Sequence, residues 1–236
     1  MSKIIACNWK MYLDKAQSLE LAKKIVYQRL YESVDFIVAP SMPMLSEIIR
    51  IFGDTGIATA SQYSSIHKIG AFTSQVSTKM LQELGCAYVI VGHSEVRAEY
   101  KETDIDCAVK ASLIISDGMV PIICVGEPLE IYQKGDTIQY IDMQLSEYSR
   151  DILDNAIIAY EPIWSIGSGL VPTNKEISSV AKFLKDKFVI SKVLYGGSVT
   201  SSNINQLAKI AEIDGFLIGG ASTKISELEQ IVEAVS

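Results

Sequence analysis

Eight short apolar runs recur along the 236-residue chain, and their spacing limits the folds that it can adopt. Most are continuous stretches rich in isoleucine and valine, which is typical of strands buried on both faces. We predict strands at residues 3–7, 34–40, 56–61, 87–92, 120–126, 156–162, 192–197 and 214–220. Strands of this kind belong in a parallel sheet that is covered by helices.

Stretches with helical spacing of apolar residues lie between the runs, most clearly at residues 15–30 and 103–118. The second begins at Thr103, with Asp106 three residues later as in a capping box, and ends at Gly118. Eight alternations of strand and helix predict βα units with right-handed crossovers. Since no Ser/Pro-rich linker or charge run divides the chain, we expect one domain over residues 1–236.

Two architectures of the α/β class fit this alternation: a closed (β/α)8 barrel and an open, doubly wound sheet. The eight units are nearly equal in length, and no G-x-G-x-x-G turn follows the first run. Both features favour the barrel. In such barrels the reactive groups lie on the loops that follow the strands, so the strand ends are the place to look for a site.

Composition narrows the class of protein. Hydrophobic residues make up 48% of the chain, yet no apolar stretch approaches the roughly 18 residues of a membrane helix, so we expect no membrane partner. The first residues lack the apolar region of a signal peptide, which predicts a cytoplasmic protein. Lys and Arg total 21 against 28 Asp and Glu, a net charge of -7 that disfavours nucleic acid but permits a small anionic substrate.

The cysteines and histidines give no sign of a metal centre. The four cysteines have no C-x-x-C spacing, and the chain has two histidines, His67 and His93. We therefore expect free buried thiols and no bound metal.

Polar residues end the first, fourth and sixth runs. Asn8 and Lys10 share one face by the two-residue period of a strand, and Lys10 would bring a positive charge to the barrel mouth. His93 precedes a polar stretch that reads as a short helix, and the positive end of a helix dipole favours a neutral imidazole. Glu161 is followed by Pro162, which holds it in an extended conformation at the rim. Each of these residues, taken alone, is equally compatible with a structural role.

Glycines end the last two runs, in Tyr-Gly-Gly-Ser (195–198) and in Ile-Gly-Gly (218–220). They either form ordinary turns or let backbone N–H groups approach an anion, as in barrels that bind phosphate there. Together with the three polar strand ends, they describe one pocket with a cation, a neutral donor, a carboxylate base and a phosphate site.

Five segments resemble the triosephosphate isomerase family from one end of the chain to the other. They are NWK after the first run, GHSE at the fourth, AYEPIWSIGSG at the sixth, YGGSV at the seventh and GFLIGGAS at the eighth. The resemblance implies interconversion of dihydroxyacetone phosphate and glyceraldehyde 3-phosphate, without a metal or an organic cofactor.

The resemblance also implies residue roles. Glu161 would be the general base, His93 the neutral electrophile and Lys10 the stabiliser of the enediolate and the phosphate. Asn8 would help to polarise the carbonyl, and Glu95 would orient Lys10. The backbone donors to the phosphate would be those of Gly167, Ser198, Gly219 and Gly220. A flap over residues 162–172, with Gly167 and Gly169 at its tip, would close over the substrate.

Two departures from the family concern a subunit interface. Family members commonly have arginine where this chain has Val96, and Gly-Glu where it has Ser74 and Gln75. By resemblance that arginine and glutamate pair across a dimer, so their joint loss leaves neither charge unpaired. We expect a homodimer that forms through the loop 63–77.

A third departure lies in the flap's C-terminal hinge, Leu-Val-Pro at residues 170–172. Pro172 has no backbone N–H. If relatives use that N–H to bind the tyrosine of the YGGSV segment, then Tyr195 must find another partner here.

Two rival interpretations stay open on sequence grounds. One is another phosphate-binding barrel isomerase or lyase, which need not keep Lys10, His93 and Glu161 together. The other is a non-catalytic phosphosugar-binding barrel, which should have lost at least one of the three.

Overall fold

A closed barrel of eight parallel strands forms the centre of the structure, a computed structural model that describes residues 2–168 and 170–236. The strands are β1 (Ile4–Asn8), β2 (Asp35–Ala39), β3 (Ala58–Ser61), β4 (Tyr88–Val91), β5 (Val120–Val125), β6 (Ile157–Tyr160), β7 (Val193–Tyr195) and β8 (Gly215–Ile218). Each strand pairs with the next one in the chain, and β8 closes the barrel on β1. The prediction of a (β/α)8 barrel is confirmed, and an open sheet is excluded.

Helices surround the barrel. Within the described residues they are α1 (Lys15–Tyr27), α2 (Leu45–Phe52), α3 (Thr78–Leu84), α4 (Ser94–Tyr100), α5 (Asp104–Ser116), α6 (Leu129–Lys134), α7 (Thr137–Leu145), α8 (Arg150–Asp154), α9 (Asn174–Phe188), α10 (Ile204–Leu207) and α11 (Ile225–Val235). The capping box predicted at Thr103 is present, with Asp106 bonded back to the Thr103 N–H. Helix α1 ends at Tyr27, three residues before the prediction, because Arg29 adopts a left-handed φ of 56° that a helix cannot continue through.

The strands separate two apolar layers, because successive side chains of a strand point to opposite faces. One layer packs between the strands and the helices. The other fills the barrel interior, and its buried members are Ile4, Ala6, Ile37, Ala39, Ala60, Ile90, Ile122, Cys124, Ile157, Ala159, Leu194 and Leu217. The same alternation places two polar side chains above the interior layer, at the mouth of the barrel. Asn8, the last residue of β1, follows Ala6, and Glu161, the first residue after β6, follows Ala159.

Three strands, β6, β7 and β8, end two residues before the predicted bounds. The backbone still makes one further ladder-like bond beyond two of them. Glu161 N–H donates to Val125 O at 2.7 Å, and Gly196 N–H donates to Tyr160 O at 2.8 Å. The loops then diverge from one another, which leaves room for a cavity above the interior layer.

Candidate active site

A cavity of about 320 Å³ opens at the carboxyl ends of the strands. Its lining includes the predicted site residues Asn8, Lys10, His93, Glu95, Glu161, Gly167, Ser198, Gly219 and Gly220. Residues that are far apart in the chain therefore meet around one space, as expected where eight loops converge on one face of a barrel. Gly169, predicted at the flap tip, lies outside the described residues.

The carboxylate of Glu161 is almost completely buried, with 2% of the residue exposed. Oε1 lies 3.3 Å from Nε2 of His93, and Oε2 accepts a hydrogen bond from the N–H of Ser94 at 3.4 Å. Two glycines make room for this residue. A Cβ on Gly126 would lie 1.7 Å from the carbonyl oxygen of Glu161, and one on Gly196 would lie 2.7 Å from its Cγ. The backbone and side chain of Glu161 are thus fixed by close packing.

Burial next to this carboxylate also affects a neighbouring thiol. Cys124 is in the interior layer directly below the cavity. Burial, and secondarily the nearby Glu161, raises the pKa of the Cys124 thiol well above its usual range. The thiol is therefore protonated at neutral pH, whereas the nucleophilic form of cysteine is the thiolate. All four cysteines are free and buried, as the sequence predicts.

His93 is the N-cap of helix α4, and its hydrogen bonds define one tautomer. The N–H of Glu95 donates to Nδ1 of the imidazole at 3.2 Å. An accepting nitrogen carries no proton, so the ring proton is on Nε2, which points toward Glu161 at 3.3 Å. In this tautomer the imidazole, which lines the cavity, presents its N–H donor on the side of Glu161.

Lys10 supplies the positive charge of the cavity. Its Nζ lies 2.5 Å from Oε1 of Glu95, and 15% of the lysine side chain is exposed. The side chain passes against Gly219, where a Cβ would lie 3.2 Å from Cε of Lys10. Glycine at 219 therefore lets the ammonium group reach the part of the cavity lined by the loop after β8.

The backbone of Lys10 is in the left-handed region, with φ of 50°. This conformation costs a residue with a side chain on the order of 1 kcal/mol. Three hydrogen bonds hold it. The Lys10 N–H donates to Oδ1 of Asn8 at 3.2 Å, and the Lys10 carbonyl accepts from Oγ of Ser41 at 2.6 Å and from Nε2 of Gln62 at 3.0 Å. Sequence reasoning missed Ser41 and Gln62, since no local pattern links them to Lys10.

Backbone N–H groups of three loops also line the cavity. Gly219 and Gly220 begin a short 3-10 helix, Gly220–Thr223, and the first N–H groups of a helix have no partner within it. Ser198 follows β7, and its N–H makes a long bond of 3.5 Å to Oγ of Ser165. Gly167 lies in the flap with φ of 68°. Such N–H groups suit an anion, and the ammonium of Lys10 adds positive potential.

The flap contacts the barrel through Trp164, which follows Glu161 by three residues. The Trp164 indole N–H donates to Oε1 of Glu127 at 3.0 Å, and the indole stacks on Tyr132 with ring centroids 4.2 Å apart. Tyr160 also donates to the same Glu127 oxygen, at 3.2 Å. Burial raises the pKa of the Glu127 carboxyl, against a smaller lowering by the Trp164 bond. Glu127 was not singled out from the sequence, although it follows β5 as Glu161 follows β6.

The described ranges contain no group of three or more His, Cys, Asp or Glu side chains arranged to hold a metal ion. Over the same part of the chain, no helix has the length and apolar character needed to cross a membrane.

Comparison with known proteins agrees with this geometry. The family profile described as triosephosphate isomerase matches residues 3–235. The triosephosphate isomerase of Thermoanaerobacter pseudethanolicus is 36% identical over 97% of this chain and 98% of its own length. That of Corynebacterium efficiens is 38% identical over 93% and 90%, and that of Mycoplasmopsis pulmonis is 38% identical over 97% and 96%. The chain therefore belongs to the triosephosphate isomerase family.

Proposed function

We propose that this protein interconverts dihydroxyacetone phosphate and D-glyceraldehyde 3-phosphate by proton transfer through an enediolate. Glu161 is the base, which removes a proton from one carbon and returns it to the neighbouring carbon. His93 donates a hydrogen bond to the substrate oxygens and moves protons between them. Lys10 stabilises the negative charge that develops on these oxygens, and Asn8 helps to polarise the carbonyl.

One observation carries this proposal. Oε1 of the buried Glu161 carboxylate lies 3.3 Å from Nε2 of His93, and both side chains line the same cavity as the Lys10 ammonium. A proton next to a carbonyl is only weakly acidic, so its removal needs a base and, at the same time, stabilisation of the forming oxyanion. These three groups supply both. The chemistry needs no electron transfer and no Lewis acid, so we propose a reaction without a cofactor.

The substrate phosphate is held by backbone donors of Gly167, Ser198, Gly219 and Gly220, with Lys10 as the nearby charge. The ion pair between Lys10 and Glu95, at 2.5 Å, supports the role of Glu95 in orienting the ammonium. Closure of the flap over residues 162–172 excludes water from the enediolate, which strengthens the electrostatic interactions inside.

The direct test is a coupled isomerase assay with glyceraldehyde 3-phosphate, performed in deuterium oxide as well as in water. We expect turnover without added metal or cofactor and in the presence of a chelator. We also expect solvent deuterium at the α-carbon of the product. In a fraction of turnovers, the proton held by Glu161 exchanges with solvent before Glu161 returns it to carbon. Binding of the substrate without turnover would instead favour a phosphosugar-binding protein.

We also propose a homodimer that forms through the loop 63–77. This loop is braced internally: the Ser65 N–H donates to Val76 O at 2.8 Å, and the ring of His67 stacks on Phe72 with centroids 3.6 Å apart. Its apolar side chains nevertheless face outward, with Ile69 89% and Phe72 42% exposed. A rigid loop with outward apolar groups is well suited to insert into a second copy.

The cavity beside this loop supports the same proposal. It measures about 410 Å³ and is lined by aromatic and polar side chains that include Tyr63, Phe72 and Tyr100. Where relatives carry a charged pair, this chain has Val96, which is half-buried, and Gln75, which accepts a hydrogen bond from Tyr63 at 2.8 Å. The proposed interface is therefore apolar and hydrogen-bonded at these positions.

Ile69→Glu should convert the dimer to monomers. A two-fold interface loses the burial of two isoleucines at once, about 3–6 kcal/mol, which weakens association roughly 10²- to 10⁴-fold. Sedimentation velocity at micromolar concentration checks this, with Met143→Glu as the matched control because Met143 is 72% exposed on α7, away from the loop. A wild-type protein that sediments as a fully active monomer at assay concentration would contradict the proposal.

A further inference from the structure

Ser165 is a hydroxyl residue at the base of the flap that has no role in the proton transfers described above. It ends the short 3-10 helix Ile163–Ser165, four residues after Glu161. The residue is completely buried, with 0% exposed, although the chain just beyond it at Gly167 and Ser168 is exposed. A buried hydroxyl must be hydrogen-bonded, so its partners indicate what it holds.

The first partner lies in the other arm of the flap. Oγ of Ser165 donates to the carbonyl of Leu170 at 2.6 Å. A second serine braces the same turn, because Oγ of Ser168 donates to Trp164 O at 2.8 Å and accepts from the Leu170 N–H at 3.1 Å. The two arms of the flap are thus tied together by serine side chains.

The other partners lie at the end of β7 and in the segment that follows it. The Ser198 N–H donates to Oγ of Ser165 at 3.5 Å, and Oγ of Ser198 donates to the carbonyl of Ser165 at 2.6 Å. The hydroxyl of Tyr195 lies 3.4 Å from Oγ of Ser165. Since the one hydroxyl proton of Ser165 is given to Leu170, Tyr195 is the donor in its pair with Ser165. This pair is tightly packed, because a Cβ on Gly197 would lie 2.2 Å from the Tyr195 hydroxyl and 3.0 Å from Oγ of Ser165.

The contact between Tyr195 and Ser165 is significant because of the sequence of the flap's C-terminal hinge, residues 170–172. Pro172 has no N–H, so the C-terminal hinge cannot offer Tyr195 a backbone donor at that residue. The contact between Tyr195 and Ser165, together with the bond from Ser165 to Leu170, joins the C-terminal arm of the flap to the end of β7. It also answers the question that the sequence raises about the partner of Tyr195.

We propose that the Ser165 hydroxyl is the anchor of the flap: it joins both arms to Tyr195 and Ser198 and thereby positions the flap over the cavity during turnover. Ser165 is a positioning residue, since its hydrogen bonds go to Leu170, Tyr195 and Ser198 and not to the groups that transfer protons. The proposal rests on the proposed isomerase function for its catalytic consequence. Its structural part, the ordering of the flap, is independent of that function.

The catalytic consequence concerns the fate of the enediolate. The intermediate either regains a proton on carbon or expels inorganic phosphate, in which case the C–O bond breaks, its electrons leave with the phosphate, and the remaining enol becomes methylglyoxal. A flap that stays in place holds the phosphate and suppresses the second path. Loss of the anchor should therefore increase phosphate release per isomerisation, which a general loss of folded protein would not do.

The test compares wild type with Ser165→Ala, Tyr195→Phe and the double variant. We expect kcat/KM of Ser165→Ala to fall about 5- to 10-fold, the factor that one or two lost hydrogen bonds produce. Phosphate released per isomerisation should rise several-fold. The double variant should be little worse than either single one, because both changes remove the same contact. Ser116→Ala is the matched control, since its exposed hydroxyl also donates to a backbone carbonyl, that of Leu113 at 2.8 Å.

Hydrogen–deuterium exchange separates this proposal from the proposed function. Amides in the peptide spanning residues 163–172 should exchange several-fold faster in Ser165→Ala and at the wild-type rate in Ser116→Ala. This result is expected even if the protein shows no isomerase activity. Unchanged exchange would overturn the anchor. A second outcome would overturn the role of Ser165 in positioning the flap for catalysis: an active Ser165→Ala enzyme whose flap amides exchange faster but which releases no more phosphate per isomerisation than wild type.

Discussion

Glu161→Gln should fold normally and lose about 10³-fold in kcat, within the usual contribution of a positioned general base. The amide has nearly the shape of the carboxylate, so the close packing of Glu161 against Gly126 and Gly196 is kept. It cannot accept a proton from carbon at neutral pH. The loss should therefore appear in kcat, while KM changes little, since the phosphate contacts remain. Steady-state kinetics in both directions, with thermal unfolding as the check on folding, measure it.

Glu130→Gln is the matched control for this variant. Glu130 lies in the first turn of α6, also beyond the carboxyl end of a strand, but its side chain is exposed and lies outside the cavity lining. It should keep wild-type kinetics within a factor of two. Retention of more than about a tenth of the wild-type kcat by Glu161→Gln would remove Glu161 from the role of base, because a loss that small is below the usual effect.

Lys10→Met should reduce kcat/KM by about 10²- to 10³-fold, the usual effect of removing one preorganised group that stabilises an oxyanion. Methionine keeps the length of the side chain and has the same difficulty in the left-handed region, so the strained backbone is neither relieved nor worsened. The lost charge affects both the enediolate and the phosphate. We therefore expect a lower kcat together with a higher KM, unlike the pattern for Glu161→Gln.

The control for the lysine is Lys15→Met. Lys15 pairs with Glu47 at 2.6 Å, much as Lys10 pairs with Glu95, but its side chain is 61% exposed on α1. Exposed ion pairs contribute little, so activity and stability should both stay near wild type. If Lys10→Met kept kcat/KM within tenfold of wild type, the cavity's positive charge would not be stabilising the reaction, and the proposed role of Lys10 would be wrong.

The sequence was most informative about the strands. Continuous Ile/Val-rich runs marked all eight strands to within two residues at every end, because burial on both faces leaves a strong local pattern. It also indicated which strand-end residues would line a common mouth, since the inward row that includes Ala6 and Ala159 continues to Asn8 and Glu161. The predicted helix ends were less accurate where a single left-handed residue ends the helix, as Arg29 does after α1.

Contacts between distant segments were not readable from the sequence. Ser41 and Gln62 hold the left-handed backbone of Lys10, and Ser165 is the partner of Tyr195. Serine and glutamine occur in many loops, and nothing local in these loops refers to the residue that they contact. The role of Glu127 as acceptor for Trp164 was hidden for the same reason.

By itself the sequence determined the order of the elements, the identity of the chemical groups at the strand ends and the family to which they are similar. The tertiary structure decided the distances: 3.3 Å between His93 and Glu161, 68 positions apart, and 2.5 Å between Lys10 and Glu95, 85 apart. The physical reason is that barrel closure depends on hydrogen-bonded register between neighbouring strands, including β8 with β1. That register is a property of the whole ring, whereas side-chain periodicity reports only on each strand's own two faces.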